Sequence, residues 1–182
     1  MEFTWIQPSQ WPAVKEIYLE AFPKRERKPY GALKRSVQRG KATVLTAVED
    51  GCLLGFAVLI PYQDMVMVDY LAVSSRIRSK GTGSQLLGEA GRRYAGKKIV
   101  LLIERLDDAA ENRAQRIARR SFYLKNGFAS ADLFIDGASG EMEIMTYGGA
   151  VDREAYLRLQ KHALGPLFFR LSGIKVIEPE DA

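Results

Sequence analysis

The run Arg78-Ser79-Lys80-Gly81-Thr82-Gly83 places two cations and two glycines directly before a helical pattern that begins near Ser84. A helix start carries unpaired backbone N–H groups and the positive end of the helix dipole. Glycine has no Cβ, so an anion approaches its backbone closely. Arg78 and Lys80 add formal charge at the same place. The chemistry these residues could serve is the binding of a phosphate; the other reading is a glycine turn that only lets helix and sheet pack. The spacing narrows the ligand. No Lys-Ser or Lys-Thr follows the glycines as a P-loop requires, and position 86 is Leu where a Rossmann fingerprint has its third glycine. What remains is R-x-x-G-x-G behind an apolar strand.

That strand is Met65–Val73, and the elements around it are readable from periodicity and turn residues. Residues 3–6 read as a short strand and 10–21 as a helix, with Trp11, Val14, Ile17, Tyr18 and Ala21 at helical spacing. The proline-bounded, charge-dense stretch 22–30 reads as a loop, and 31–39 as a second helix ending at Gly40. Runs 42–48 and 52–60 flank Glu49-Asp50-Gly51, a hairpin signal. A helix over 84–95 follows the glycine loop; its Gly88 and Gly91, each costing about 1 kcal/mol against Ala, point to tight packing on the sheet or to local flexibility. Residues 98–104 form an apolar strand covered on both faces. A helix over 109–126 opens on Asp108 and Glu111, spaced as a capping box, and stops at Gly127. Strands 129–136 and 141–147 meet at a glycine-rich turn. The order β-α-α-β-β-β-α-β-α-β-β describes an α/β (α+β) domain with a mixed sheet, hairpins at each end and crossovers in the middle.

A second motif closes the long helix: Arg120-Ser121-Phe122-Tyr123-Leu124-Lys125-Asn126-Gly127-Phe128. Together, the glycine loop and this aromatic-Tyr-…-Gly-Phe ending resemble the two signatures of the GNAT N-acetyltransferase superfamily, in the family's order and at its separation. The resemblance spans residues 3–148. It implies the acyl-CoA N-acyltransferase fold, with a mixed, mostly antiparallel central sheet flanked by helices, and acetyl-CoA as co-substrate. It assigns Arg78, Ser79, Lys80, Gly81, Thr82, Gly83 and Ser84 to the pyrophosphate, and the backbone of Leu71, Ala72 and Val73 to the pantetheine arm, paired like an added strand. It places Tyr123 near the coenzyme sulfur. One position departs from the pattern: many relatives carry asparagine seven residues before the tyrosine, and here that residue is Arg116, with Asn112 one turn earlier. Arg113, Arg116 and Arg120 form a basic stripe that reads as a solvated face, or supplies a contact to the 3′-phosphate.

Acetyl transfer to an amine makes three demands. An amine of pKa ~10.4 is neutral in only roughly one molecule in a thousand at pH 7, so a base or a water chain must take its proton. The oxyanion needs a donor, which the resemblance places at a backbone N–H near Leu71. The thiolate, at pKa ~8.5, needs a hydrogen bond or a proton, and a phenol at pKa ~10 supplies the former more readily than the latter. Three carboxylates are candidates for the base, in the order Glu104 (end of the strand beside Met65–Val73), Asp69 (two residues before Leu71) and Glu26 (in the first interhelical loop). Each also has a plain reading as a salt-bridged or solvated acid.

Bulk properties bound the alternatives. At 182 residues, 47% hydrophobic and 27% charged, the chain has the size and composition of one globular domain. Residues 149–182 extend the acetyltransferase domain (1–148) by a helix and an apolar tail, packed on the domain or on a partner subunit of a homodimer. One cysteine, Cys52, and one histidine, His162, exclude a Cys/His zinc site, and no metal is expected. Cys52 reads as a buried, inert thiol in a reducing compartment. No signal peptide or bilayer-length apolar run is visible, which points to the cytoplasm and away from the membrane. A net charge of +5 fits a polyanionic coenzyme; no aromatic-basic interleaving or helix-turn-helix pattern supports a nucleic-acid partner. The expected activity is transfer of acetyl from acetyl-CoA to a primary amine of a small molecule or peptide in a ternary complex. The alternative is a non-catalytic acyl-CoA-binding or sensing domain.

Overall fold

In the computed structural model, residues 1–24, 26–77, 81–137 and 140–177 are described. Among the described residues, eight strands, mostly antiparallel, hydrogen-bond in the order β1-β2-β3-β4-β5-β7-β6-β8. The chain divides into two compact units, residues 1–61 with 68–95, and 62–67 with 96–182, the change falling within strand β4.

The first unit carries β1 (Glu2–Trp5), β2 (Thr43–Glu49), most of β3 (Cys52–Tyr62) and the second half of β4 (Met65–Val73), with helices α1 (Trp11–Ala21), α2 (Tyr30–Gln38) and α3 (Thr82–Arg93). The β2–β3 hairpin turns at Asp50 (φ 50°) and Gly51 (φ 76°), both left-handed as a two-residue turn matching strand twist requires. Phe56 to Ile60 are at most 2% exposed, so β3 reads as a continuous apolar run because both its faces are covered. α3 begins at Thr82, two residues before the expected start, which brings Thr82 and Gly83 into its first turn. Gly88 does not mark tight packing: a Cβ there would meet no atom within 4 Å. Gly55 on β3 does, since its Cβ would stand 2.7 Å from the Ala72 carbonyl oxygen. Cys52, expected to be buried, is exposed, because it opens β3 right after the hairpin turn.

The second unit carries the start of β4, β5 (Lys98–Glu104), β6 (Ala129–Asp136), β7 (Met142–Tyr147) and β8 (Lys175–Ile177), with α4 (Arg113–Lys125), α5 (Arg153–Leu164) and α6 (Pro166–Ser172). Met65–Met67 pair in parallel with Lys98–Val100, and β5 pairs antiparallel with β7 from Ile99↔Tyr147 to Glu104↔Met142. α4 starts four residues later than its capping-box pattern indicates. The Asp108 carboxylate accepts from Arg113 Nε at 2.8 Å instead of capping a helix, and Asp107 Oδ1 accepts from the Ala109 N–H, so residues 107–112 form turns. The apolar tail is ordered into α6 and β8. β8 pairs with Phe134–Asp136 of β6, while Leu167, Phe168 and Leu171 on α6 stay at least 66% exposed.

Candidate active site

In the first unit, β4 ends at Leu71, Ala72 and Val73, where Gly55 lets the β3 backbone come into close contact with Ala72 and Val73. Sequence reasoning did not single out Gly55, although glycine inside a strand pattern marks such an approach. A short 3₁₀ turn, Ser75–Ile77, follows, its first N–H donating to Glu20 Oε1 at 3.2 Å. Arg78, Ser79 and Lys80 lie outside the described residues. Gly81 then caps α3 at φ 81°, a left-handed conformation that glycine adopts without strain. The N–H groups of Thr82, Gly83 and Ser84 belong to the first turn of the twelve-residue α3 and have no carbonyl four residues back to bond within the helix. Thr82 is 1% exposed, and its Oγ1 finds no hydrogen-bond partner among the described residues. A buried hydroxyl without a partner costs free energy, and here it lies in the turn best suited to an anion.

In the same unit, Asp69 and the backbone carbonyl of Glu26 are linked through Lys28 and the phenol of Tyr70. Lys28 Nζ donates to both oxygens of Asp69 at 2.7 Å. The Lys28 N–H donates to Tyr70 Oη at 3.0 Å, Tyr70 Oη donates to the Glu26 carbonyl at 3.2 Å, and Tyr18 Oη donates to the Lys28 carbonyl at 3.0 Å. Tyr18 and Phe22 meet the Tyr70 ring edge-on at 5.0 and 4.9 Å. The charge-dense loop after α1 is thus held by phenols rooted in the core. Desolvation raises the pKa of Tyr70 and Tyr18, so both act as neutral hydrogen-bonding groups. Lys41, unremarked in the sequence, has its pKa lowered, by burial first and then by the charge of Lys28.

In the second unit, Glu104 ends β5 with both oxygens engaged. Asn112 Nδ2 donates at 3.0 and 3.3 Å, Arg119 Nη1 donates at 2.9 Å, and Arg116 Nη2 lies 3.7 Å away. Arg116 Nε donates in turn to Asn112 Oδ1, and its Nη1 to the Arg105 carbonyl. Glu104, Arg105, Leu106, Asp107, Asp108, Arg116, Gly140 and Glu141 line a polar cleft of about 480 Å³. Of the three arginines expected to form a solvated stripe, Arg113 stays solvated, 54% exposed beside the exposed Asp108, whereas Arg116 beside Glu104 and Arg120 on Glu143 are half-buried against acids; Arg119 also meets Glu104. Glu143 is 3% exposed and receives Arg120 Nε at 2.9 Å.

Tyr123 stands near the end of α4, its ring edge-on to Phe122 and Phe128 at 5.1 and 5.6 Å. Desolvation pushes its pKa up to about 12, with the Arg119 charge pulling the other way. No described residue hydrogen-bonds its hydroxyl. No group of His, Cys, Asp and Glu able to hold a metal occurs among the described residues, and no described helix is long and apolar enough to cross a membrane.

An apolar strand feeding a glycine-capped helix N-terminus, with a tyrosine at the end of a later helix, is the plan of a coenzyme A acyltransferase domain. Residues 40–130, half of the chain, match the family model of the acetyltransferase (GNAT) domain, and the chain belongs to that family. A comparison with curated proteins gave no match. Among solved structures, a GNAT-family protein from Bacteroides thetaiotaomicron aligns over 96% of this chain and 100% of its own, with TM-score 0.71 and 21% identity. The ribosomal-protein-S18-alanine N-acetyltransferase from Escherichia coli aligns over 84% and 96% (TM-score 0.63, 18% identity). A GNAT acetyltransferase from Elizabethkingia anophelis with acetyl-CoA bound aligns over 80% and 96% (TM-score 0.61, 16% identity). At these identities the likeness is one of fold.

Proposed function

We propose that the protein transfers acetyl from acetyl-CoA to a primary amine of a small molecule or peptide, by direct attack in a ternary complex. The observation that carries this reading is the start of α3, where the left-handed Gly81 and the buried, unpartnered Thr82 hydroxyl make a cradle for the coenzyme pyrophosphate. Arg78 and Lys80 supply charge to it, and Ser79, Gly83 and Ser84 complete it. Leu71, Ala72 and Val73 offer backbone groups to the pantetheine arm, and a backbone N–H near Leu71 serves the oxyanion.

The amine nitrogen attacks the thioester carbonyl, the C–S bond breaks as the tetrahedral adduct collapses, and the amine proton leaves to a base. We assign that base to Asp69, directly or through water, ahead of Glu104 and Glu26. Glu104 serves two arginines and an asparagine, so protonating it would break several charge-assisted bonds. Asp69 serves one lysine and keeps lone pairs free. Tyr123 donates a hydrogen bond to the departing thiolate and keeps its proton. With the phenol at about 12 and a thiol at ~8.5, full transfer would be uphill by roughly 5 kcal/mol.

Release of free thiol from acetyl-CoA, measured across a panel of amines, tests the reading. Thiol release only when an amine is present is the expected result; acetyl-CoA binding with no thiol release from any amine would leave a sensing domain. Tyr123→Phe is expected to lower kcat about 10- to 100-fold with acetyl-CoA affinity within about twofold, the size of one charge-assisted hydrogen bond. Asp69→Asn is expected to lower kcat/KM for the amine by about 100-fold or more. If it behaves like wild type while Glu104→Gln does not, the base is Glu104.

A further inference from the structure

We infer that Glu20 is a positioning residue for coenzyme binding: its carboxylate fixes the turn from which the chain enters the pyrophosphate cradle. The inference rests on the acetyltransferase reading above. The turn is Ser75–Ile77, just after β4, and each backbone N–H from Ser74 to Ile77 has an acceptor. Ser74 donates to the Leu54 carbonyl of β3 at 2.8 Å, Arg76 to Ser74 Oγ at 3.4 Å and Ile77 to the Ser74 carbonyl at 3.1 Å. Ser75 donates to Glu20 Oε1 at 3.2 Å, across 55 positions of the chain. Among the described residues, Glu20 is thus the one side chain from another element to hydrogen-bond this turn.

Glu20 does little for its own helix. It lies exposed in the last turn of α1, where the negative end of the helix dipole disfavours a carboxylate. The Ser75 N–H is its sole hydrogen-bonding or ion-pairing partner among the described residues. What it serves lies downstream, because only four residues, 78–81, separate Ile77 from Thr82. That stretch carries Arg78 and Lys80, and its far end is fixed at Gly81 and the first turn of α3. A phosphate site whose two ends are set in advance costs less to occupy than one assembled on binding. As a charge, Glu20 acts the other way, since a carboxylate repels the anionic coenzyme. Position and charge therefore give opposite effects on removal. Glu20→Gln, which keeps the acceptor oxygen and loses the charge, separates them.

The test is calorimetric titration with coenzyme A, joined to turnover of acetyl-CoA against acetylpantetheine, a thioester with the pantetheine arm and no phosphate. Glu20→Ala is expected to weaken coenzyme A binding about three- to tenfold, the size of one hydrogen bond, and to raise the KM for acetyl-CoA by the same factor with kcat within about twofold. The KM for acetylpantetheine should stay put, whereas a general loss of structure would raise both. Glu20→Gln should bind coenzyme A at least as tightly as wild type. Unchanged or tighter binding in Glu20→Ala makes Glu20 a solvated carboxylate and overturns the inference. Glu20→Gln as weak as Glu20→Ala overturns it too, as does an equal rise in KM for both donors. If wild type binds coenzyme A but no amine releases thiol, the acetyltransferase reading fails, and the titrations of the two variants still decide for or against Glu20. If wild type does not bind coenzyme A, both fall.

Discussion

Thr82 separates what a residue does for the fold from what it does for a ligand. Its hydroxyl is buried and unpartnered, so Thr82→Val, nearly equal in volume, removes an unsatisfied group. The melting temperature is expected to hold or rise, by the equivalent of about 1 kcal/mol, while the dissociation constant for coenzyme A increases several-fold. A fall in both would mean that the hydroxyl serves the fold. The sequence places Thr82 in the loop, because residues 78–84 are contiguous and glycine spacing is a local signal. It does not disclose that the hydroxyl lacks a partner, since that depends on what surrounds α3. The Lys28–Asp69 pair is hidden for the same reason: one residue comes from a loop and the other from a strand, and no spacing rule links them. Glu104 illustrates the converse. Its position at the end of β5 is legible, whereas its engagement by Arg119, fifteen residues away, is not.

α4 shows how an element's surface misleads when read alone. Arg116 and Arg120 look solvated at helical spacing until the strands beneath them are known to carry Glu104 and Glu143, while Arg113 stays in solvent. Arg120→Ala would leave Glu143 charged and buried without a counter-ion, a loss of about 3–5 kcal/mol in urea unfolding. Glu143→Leu combined with Arg120→Met should recover most of it, because a buried pair replaced by apolar groups of similar size is often neutral. The other misreadings are also of elements. Asp108 and Glu111 have capping-box spacing, but Arg113 competes for the Asp108 carboxylate, and the helix starts later. β8 is three residues long, too short for its alternation to register, and exists because β6 offers it an edge. The long elements with apolar periodicity, β3, β4, β5 and α1, lie where the pattern puts them.

At the scale of the whole molecule, four tyrosines share one property. Tyr18 and Tyr70 have raised pKa values, and Tyr30 and Tyr123 are pushed to about 12, chiefly by desolvation. Their unfolded value is near 10. Above pH 10 the unfolded chain therefore releases protons that the native state retains, and stability falls as pH rises. Thermal unfolding followed by tryptophan fluorescence is expected to show a melting temperature that declines steadily from pH 10 to 12. Tyr18→Phe with Tyr70→Phe should flatten that decline.

On the proposed function, in which Asp69 beside Lys28 takes the amine proton, the phenol ties to Glu26 and Lys28 bear on the thermodynamics of acceptor recognition. A segment already immobilised in the free protein loses little motion when a ligand arrives, so association there carries a small entropic penalty and proceeds without a slow rearrangement. Cutting the ties with phenylalanine at 18 and 70 would turn a rigid template into one that must be organised anew at each encounter. The expected signature in calorimetry is a less favourable binding entropy, and in stopped-flow mixing a lower association rate constant.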